Sequence, residues 1–294
     1  MFTFLARYPS GASRWAGAIL LTLLVGCSST TFVYNRLDTL VGWYASDYVS
    51  LDRAQKAVFK AQLVELHDWH RREELPHYIA LLNAMDVALD KPLADSDIVT
   101  LYDQFLAAAE RLRVAMTATA IDFGRELTQA QRLEFVASIR ANQQTWYDER
   151  VDMDDDEYRE LLVRRFSDNL ADFLGRLNKE QRAMIARGAE GMMRLHEPWH
   201  AQRTRWLDGL EAALRDYPDN WQAPTQRALD SWDRYQSEEY RSTFAHNQAL
   251  SRQLVRDVVN SRTSRQDKHL RGVIADYRDD FSALLSASYD LVEQ

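Results

Sequence analysis

Cysteine is almost absent from this sequence of 294 residues: there is one, Cys27. A single thiol excludes a disulfide framework and a zinc site built on cysteines. Glycine and proline are scarce as well, at 10 and 6, well below ordinary usage, and that weighs against a turn-rich all-β fold. Bases fall short of acids, with 36 Lys and Arg against 44 Asp and Glu and a formal net charge of -8. General nucleic-acid binding is therefore not expected, because neutralising phosphates requires a basic face. Beyond residue 26 no run of ~18 apolar residues occurs that could cross a bilayer as a helix. What is present is 46% hydrophobic and 27% charged residues, a composition able to bury a core.

The first 26 residues read as an address. Arg7 and Arg14 precede any acidic residue, and an apolar run follows from Ala16 to Gly26. That run is too short for a bilayer core of ~30 Å, which needs ~20 helical residues. A basic start, a short apolar stretch and a small-residue exit form a secretory signal peptide. The exit reads Leu24-Val25-Gly26-Cys27 and resembles the bacterial lipobox, with the only cysteine at the place the motif requires. The resemblance implies cleavage before Cys27 and acylation of its thiol and new amino group. The chain then divides into a signal peptide (1–26), a lipidated cysteine with a short tether (27–31) and a helical periplasmic domain (32–294). Two or more acyl chains make a stable anchor, at ~0.8 kcal/mol per buried methylene. Ser28, rather than Asp, follows the cysteine, which implies the outer membrane. Loss of the leader, with its two arginines and no acid, takes the net charge to -10.

The rest reads as all-α, a multi-helix bundle or elongated helical array. From Ile98 the apolar positions Leu101, Tyr102, Phe105, Ala109, Leu112 and Met116 recur at spacings of three and four, the stripe of an amphipathic helix. Ser96 can cap its start and Gly124 sits near its end. Further helices are expected at about 52–72, 77–89, 129–148, 155–174, 179–195, 199–215, 222–258 and 263–291. Pro76, Pro92, Pro198, Pro218 and Pro224 lie near their boundaries, where a missing N–H does least harm. Gly188 and Gly191, inside a helical pattern, predict a close-packing or bend site.

One phrase occurs three times at these starts: Leu51-Asp52-Arg53-Ala54-Gln55-Lys56, Leu127-Thr128-Gln129-Ala130-Gln131-Arg132 and Leu177-Asn178-Lys179-Glu180-Gln181-Arg182. Asp52, Thr128 or Asn178 can accept from a free N–H of the first turn, and the Gln three residues on can reach back to the cap backbone, a capping box. Each copy is followed, 18 to 22 residues after its Leu, by a tryptophan: Trp69, Trp146 and Trp199. The unequal intervals rule out a regular solenoid. The second copy resembles the LTxxQ motif of the periplasmic stress chaperones of the Spy and CpxP kind, all-helical proteins that hold unfolded clients on an apolar face. The other copies depart from it, with Asp52 and Asn178 in place of Thr. A second resemblance covers most of the mature chain. Tyr34-Asn35-Arg36-Leu37-Asp38, Trp43, Asp47-Tyr48-Val49, Leu51, Trp69-His70-Arg71 and Glu74-Leu75-Pro76 are similar to an uncharacterised family of proteobacterial lipoproteins, which implies location and fold only.

Candidate chemistry is sparse. His67 and His70, then His196 and His200, have helical spacings that put each pair on one side of a helix. Were the two segments to pack antiparallel, four imidazoles could converge on a metal; surface or hydrogen-bonded histidines beside Trp are the simpler alternative. Asp152, Asp154, Asp155, Asp156 and Glu157 form an acidic cluster, but Glu157 and Val163 stand where an EF-hand needs Gly and Glu. Such acids favour the positive end of a helix starting near 155. No Gly-x-Ser-x-Gly, Walker loop or His-Glu-x-x-His occurs. The expectation is a non-enzyme without catalytic residues or cofactor, held to the membrane by its lipid and binding a periplasmic or envelope protein partner. Trp69, Trp146 and Trp199 are the candidate binding face. Chaperone-like client binding is one form of that reading. A structural accessory docking on an outer-membrane or peptidoglycan machine is another, and a metal-binding protein a third.

Overall fold

Helix ends organise this chain, because few of its residues break helices. The structure, a computed structural model, describes residues 34–292; the signal peptide, the lipobox and Cys27 with its tether lie outside the described residues. The described residues form α-helices joined by short turns, with no strand among them. In chain order these are α1 (Leu37–Ala45), α2 (Arg53–Trp69), α3 (Leu75–Ala88), α4 (Asp95–Phe123), α5 (Gln129–Val151) and α6 (Asp155–Leu174). They continue as α7 (Lys179–Glu190), α8 (His196–Asp216), α9 (Gln222–Asp230), α10 (Glu238–Asn260) and α11 (Ser264–Val292).

The helix expected over 179–195 ends at Glu190, α1 lies outside the expected helices, and two other expected helices are interrupted. The helix expected over 52–72 ends at Trp69, and a π-helical turn, His70–Glu74, leads into α3. Pro76 supplies the reason: it has no N–H to donate one turn back, and a widened turn before it absorbs the mismatch. The helix expected over 222–258 is interrupted between α9 and α10 by a 3₁₀ turn, Trp232–Tyr235. There Ser237 Oγ accepts from the backbone N–H of Tyr240 at 3.1 Å, an N-cap that begins a new helix.

The described residues fall into two compact units, each assembled from three stretches of chain. The first takes residues up to Arg71, Ala109–Val151 and His196–Tyr240. In it α5 packs on α8, and α8 on α9. α8 buries Trp206, Leu207, Leu210, Ala213 and Leu214, the spacings of one helix face. They form a core with Val136, Trp221 and Ala228. Gly124 lets the indole of Trp221 in: a Cβ there would stand 2.4 Å from the ring. Arg132 then stacks over the same indole at 4.6 Å and donates to the Gly124 carbonyl at 3.0 Å. All seven tryptophans of the described residues lie in this unit.

The second unit takes Arg72–Ala108, Asp152–Leu195 and the chain from Arg241 on. α11 packs on α3 and α6, and α6 on α7. Its core is aliphatic: Leu89, Leu93, Leu170, Leu174, Leu177, Ile185, Leu254, Val258, Leu270 and Ile274. Gly188 is a close-packing position, where a Cβ would meet Leu254 at 3.0 Å. Asn260 pins the turn before α4, accepting from the Leu93 N–H at 2.7 Å and donating to its carbonyl at 2.9 Å.

Candidate functional site

The repeated phrases are mated helix starts. In the first unit Asp52 Oδ1 accepts from Gln55 N at 2.9 Å, and Gln55 Oε1 accepts from Asp52 N at 3.0 Å. Thr128 and Gln131 do the same at 3.2 and 2.9 Å. The two glutamines then face each other. Gln55 donates to Gln131 Oε1 at 2.9 Å, and Gln131 to Gln55 Oε1 at 2.8 Å. Each spare N–H reaches the carbonyl two residues before the other's cap, Glu126 at 2.8 Å and Ser50 at 2.7 Å.

The third phrase has an equivalent partner in the second unit. Asn178 and Gln181 form their capping box at 2.9 and 3.0 Å. Gln181 exchanges amide hydrogen bonds with Gln266, at 3.0 and 2.9 Å, and Gln266 donates to the Arg176 carbonyl at 3.2 Å. Thr263 N donates to Gln266 Oε1 at 3.0 Å. Thr263-Ser264-Arg265-Gln266 is thus a fourth copy. The sequence reading missed it because Arg262 stands where the other copies have Leu; the Thr-x-x-Gln spacing was the available signal. The leucines differ in depth. Leu177 is in the core, while Leu51 and Leu127 are half-buried. The mating explains Gln at this position. An amide can accept from its own cap and donate to the partner, whereas a carboxylate cannot donate.

The three candidate tryptophans divide. Trp146 on α5 and Trp199 on α8 meet at a tilt, with centroids 4.3 Å apart. From this pair a ladder of rings and guanidinium groups runs along α8 at helical spacing. Arg150 lies over Trp146 at 4.9 Å. Arg203 lies 5.9 Å from Trp199, 4.7 Å from Trp206 and 5.6 Å from Trp232. Trp206 and Trp232 meet edge to face at 5.3 Å, and the Trp206 indole donates to the Ala228 carbonyl at 3.1 Å. No carboxylate among the described residues pairs with Arg203, and burial among the rings brings its pKa down to about 10. The signal for Arg203 in the sequence was its spacing from Trp199 and Trp206, four and three residues.

Trp69 lies on other helices. With Gln62, Glu65 and Leu66 of α2 and Ala115, Thr119 and Asp122 of α4 it lines an open groove of about 220 Å³. The α2 positions follow the i, i+3, i+4, i+7 pattern and those of α4 the i, i+4, i+7 pattern, so two helix faces form its walls. Leu66, Ala115 and Trp69 are its apolar surface. Glu65 and Asp122 are its acids, and Asp122 pairs with Arg125 at 3.0 Å. Both helices also expose apolar side chains: Val64, Val114 and Met116.

The histidines serve packing. The Tyr34 hydroxyl and His70 Nδ1 are hydrogen-bonded at 2.8 Å, and the Tyr34 ring lies 4.5 Å from that of His67. Arg71 covers the same tyrosine at 5.5 Å and donates to Asn35 Oδ1 at 2.8 Å. His196 is buried, and His200 stacks on Tyr147 at 4.1 Å, where burial lowers its pKa. Among the described residues no group of three or more His, Cys, Asp or Glu is placed to hold a metal, so the four imidazoles do not converge. The acidic cluster is a helix start. Asp154 Oδ1 accepts from Asp156 N and Glu157 N, both at 2.9 Å, and Glu157 caps Asp154 N in return at 3.0 Å.

No helix of the described residues is long and apolar enough to cross a membrane. No curated protein and no solved structure matches the chain. A model described as a family of unknown function (DUF6279) matches residues 47–241, a span holding the first three phrases and all three candidate tryptophans, and the chain belongs to that family.

Proposed function

We propose that this protein is a lipid-anchored protein of the outer membrane, facing the periplasm, that works by binding other polypeptides rather than by catalysis. The anchor reading rests on Leu24-Val25-Gly26-Cys27. The binding reading rests on one observation, the groove between α2 and α4 with Trp69 in its wall. A groove walled by two helix faces suits an amphipathic segment laid along it, and Trp is a favoured anchor at interfaces. Glu65 favours a segment that carries a base beside its apolar residues. The mated capping boxes account for the LTxxQ-like phrases by helix-end physics, so the chaperone form of the proposal stands on the groove and not on the phrases.

The test is photocrosslinking in living cells from Thr119 of the full chain, with and without Trp69→Ala. Many partners, lost with Trp69→Ala, support chaperone-like client binding. One dominant partner, equally dependent on Trp69, supports the structural accessory instead. Crosslinks indifferent to Trp69 would remove the groove from the account.

A further inference from the structure

Helix α1 leaves large apolar side chains exposed. Trp43 is 70% exposed, Tyr44 47% and Val41 38%. Trp43 is the only exposed tryptophan among the described residues. From Leu40 to Ala45 the helix carries no charged residue. The same helix packs on α2. The Tyr44 hydroxyl is hydrogen-bonded to that of Tyr48, four residues on. The exposed edge thus offers rings with polar tips, the side chains that collect at a membrane–water interface.

Where this edge lies in the chain says what it meets. Tyr34 is buried, 5% exposed, and held by His70, so the chain is fixed to the body at that point. Tyr34 is seven positions on from Cys27, and an extended chain covers about 3.3 Å per residue. Tyr34 is therefore no more than roughly 25 Å from an acylated Cys27, and α1 starts three residues later. An apolar edge tied this closely to a lipid anchor has the bilayer as its nearest surface.

We propose that Trp43, with Tyr44 beside it, is a second membrane contact, seated among the lipid headgroups beside the anchor. The inference rests on the lipid-anchor reading. A nine-residue helix with two such side chains is too small to hold a protein on a bilayer alone. Its work is to orient a body that the acyl chains already hold, turning a loose tether into a docked one.

The experiment uses the full chain, purified from membranes as the cell processes it and reconstituted in phosphatidylethanolamine–phosphatidylglycerol vesicles with brominated acyl chains. Bromolipids quench nearby indoles. The expected result is quenching in the wild type that drops at least twofold in Trp43→Phe, with Trp69→Phe quenched like the wild type. Equal quenching of wild type and Trp43→Phe overturns the proposal. So does crosslinking between copies through position 43 without quenching, which assigns the edge to a second copy of the chain. The mass of the N-terminal peptide of the same preparation separates the two readings. An acylated Cys27 without Trp43 quenching leaves the anchor standing and removes this contact, whereas an unmodified chain without quenching removes both.

Discussion

Gln181 and Gln266, 85 positions apart, exchange hydrogen bonds through their side-chain amides, each donating to the other's oxygen at 3.0 and 2.9 Å. Both are buried. Each also accepts from the N–H of its own helix cap, so one pair of side chains closes two helix ends and joins them. Gln55 and Gln131 repeat the arrangement in the other unit.

The first prediction follows from this closure. Gln266→Ala leaves the Gln181 amide buried without its partner, and one buried polar group left unsatisfied costs ~1–3 kcal/mol. Gln181→Ala does the same from the other side. In urea unfolding each single variant loses stability in that range, and the double variant loses less than the sum, because the two residues act as one unit. Additive losses would show that the caps work separately.

A pair of glycines forms the second prediction. A Cβ at position 124 would stand 2.4 Å from the Trp221 ring, and a rigid indole in a core cannot move aside cheaply. Gly124→Ala is expected to destabilise by ~1–3 kcal/mol, as overpacking does. Gly272 in α11 has nothing within 4 Å of its missing Cβ. Gly272→Ala is expected to stabilise by up to ~1 kcal/mol through helix propensity. Thermal melts of the two variants should therefore shift in opposite directions.

Arg203 makes a contrary case. It lies among Trp199, Trp206 and Trp232, with its pKa down to about 10 because the fold disfavours its charge. A desolvated cation without a carboxylate costs stability that cation–π attraction only partly returns. Arg203→Met, similar in length and uncharged, is expected to be neutral or to stabilise by ~1 kcal/mol. A loss above ~2 kcal/mol in denaturant unfolding would mean that ring–cation attraction dominates.

Alkaline pH tests burial in both units. Burial pushes Tyr240 and Tyr277 from 10.0 up to about 12, with Asp172 and Asp280 adding to the effect at Tyr277. The unfolded chain loses these protons near pH 10, while the folded chain keeps them to near 12. Their stabilisation is thus complete below 10 and is lost as pH rises to 12. Arg203 acts oppositely, since the fold releases its proton first and gains stability above pH 10. Burial raises Tyr48 and Tyr158 as well, so the tyrosines outweigh Arg203. Stability measured by urea unfolding should fall between pH 10 and 12, and Tyr240→Phe should flatten the fall.

The helical class was legible because its signals are local. Scarce Gly and Pro, stripes such as Leu101, Phe105, Leu112 and Met116, and cap–Gln spacings all act within a few residues. The mating of Gln55 with Gln131 was not legible, since it joins positions 76 apart. Nor was the division into two units, because α4 and α10 run through unit boundaries at 108 and 240 without any change in composition. The interruption near Ser237 was hidden by amphipathic sequence on both sides of it. Of the candidate site, Trp69 could be named from the sequence, but its groove could not. The facing wall of Ala115, Thr119 and Asp122 comes from a helix whose residues look like any solvated turn.

The proposed lipid anchor sets where this protein acts, and the mass of the N-terminal peptide released from membrane-extracted protein tests it most directly. The account predicts a peptide beginning at Cys27 and carrying acyl chains on its thiol and amino group. A mature chain beginning elsewhere, or a Cys27 peptide of unmodified mass, would contradict it.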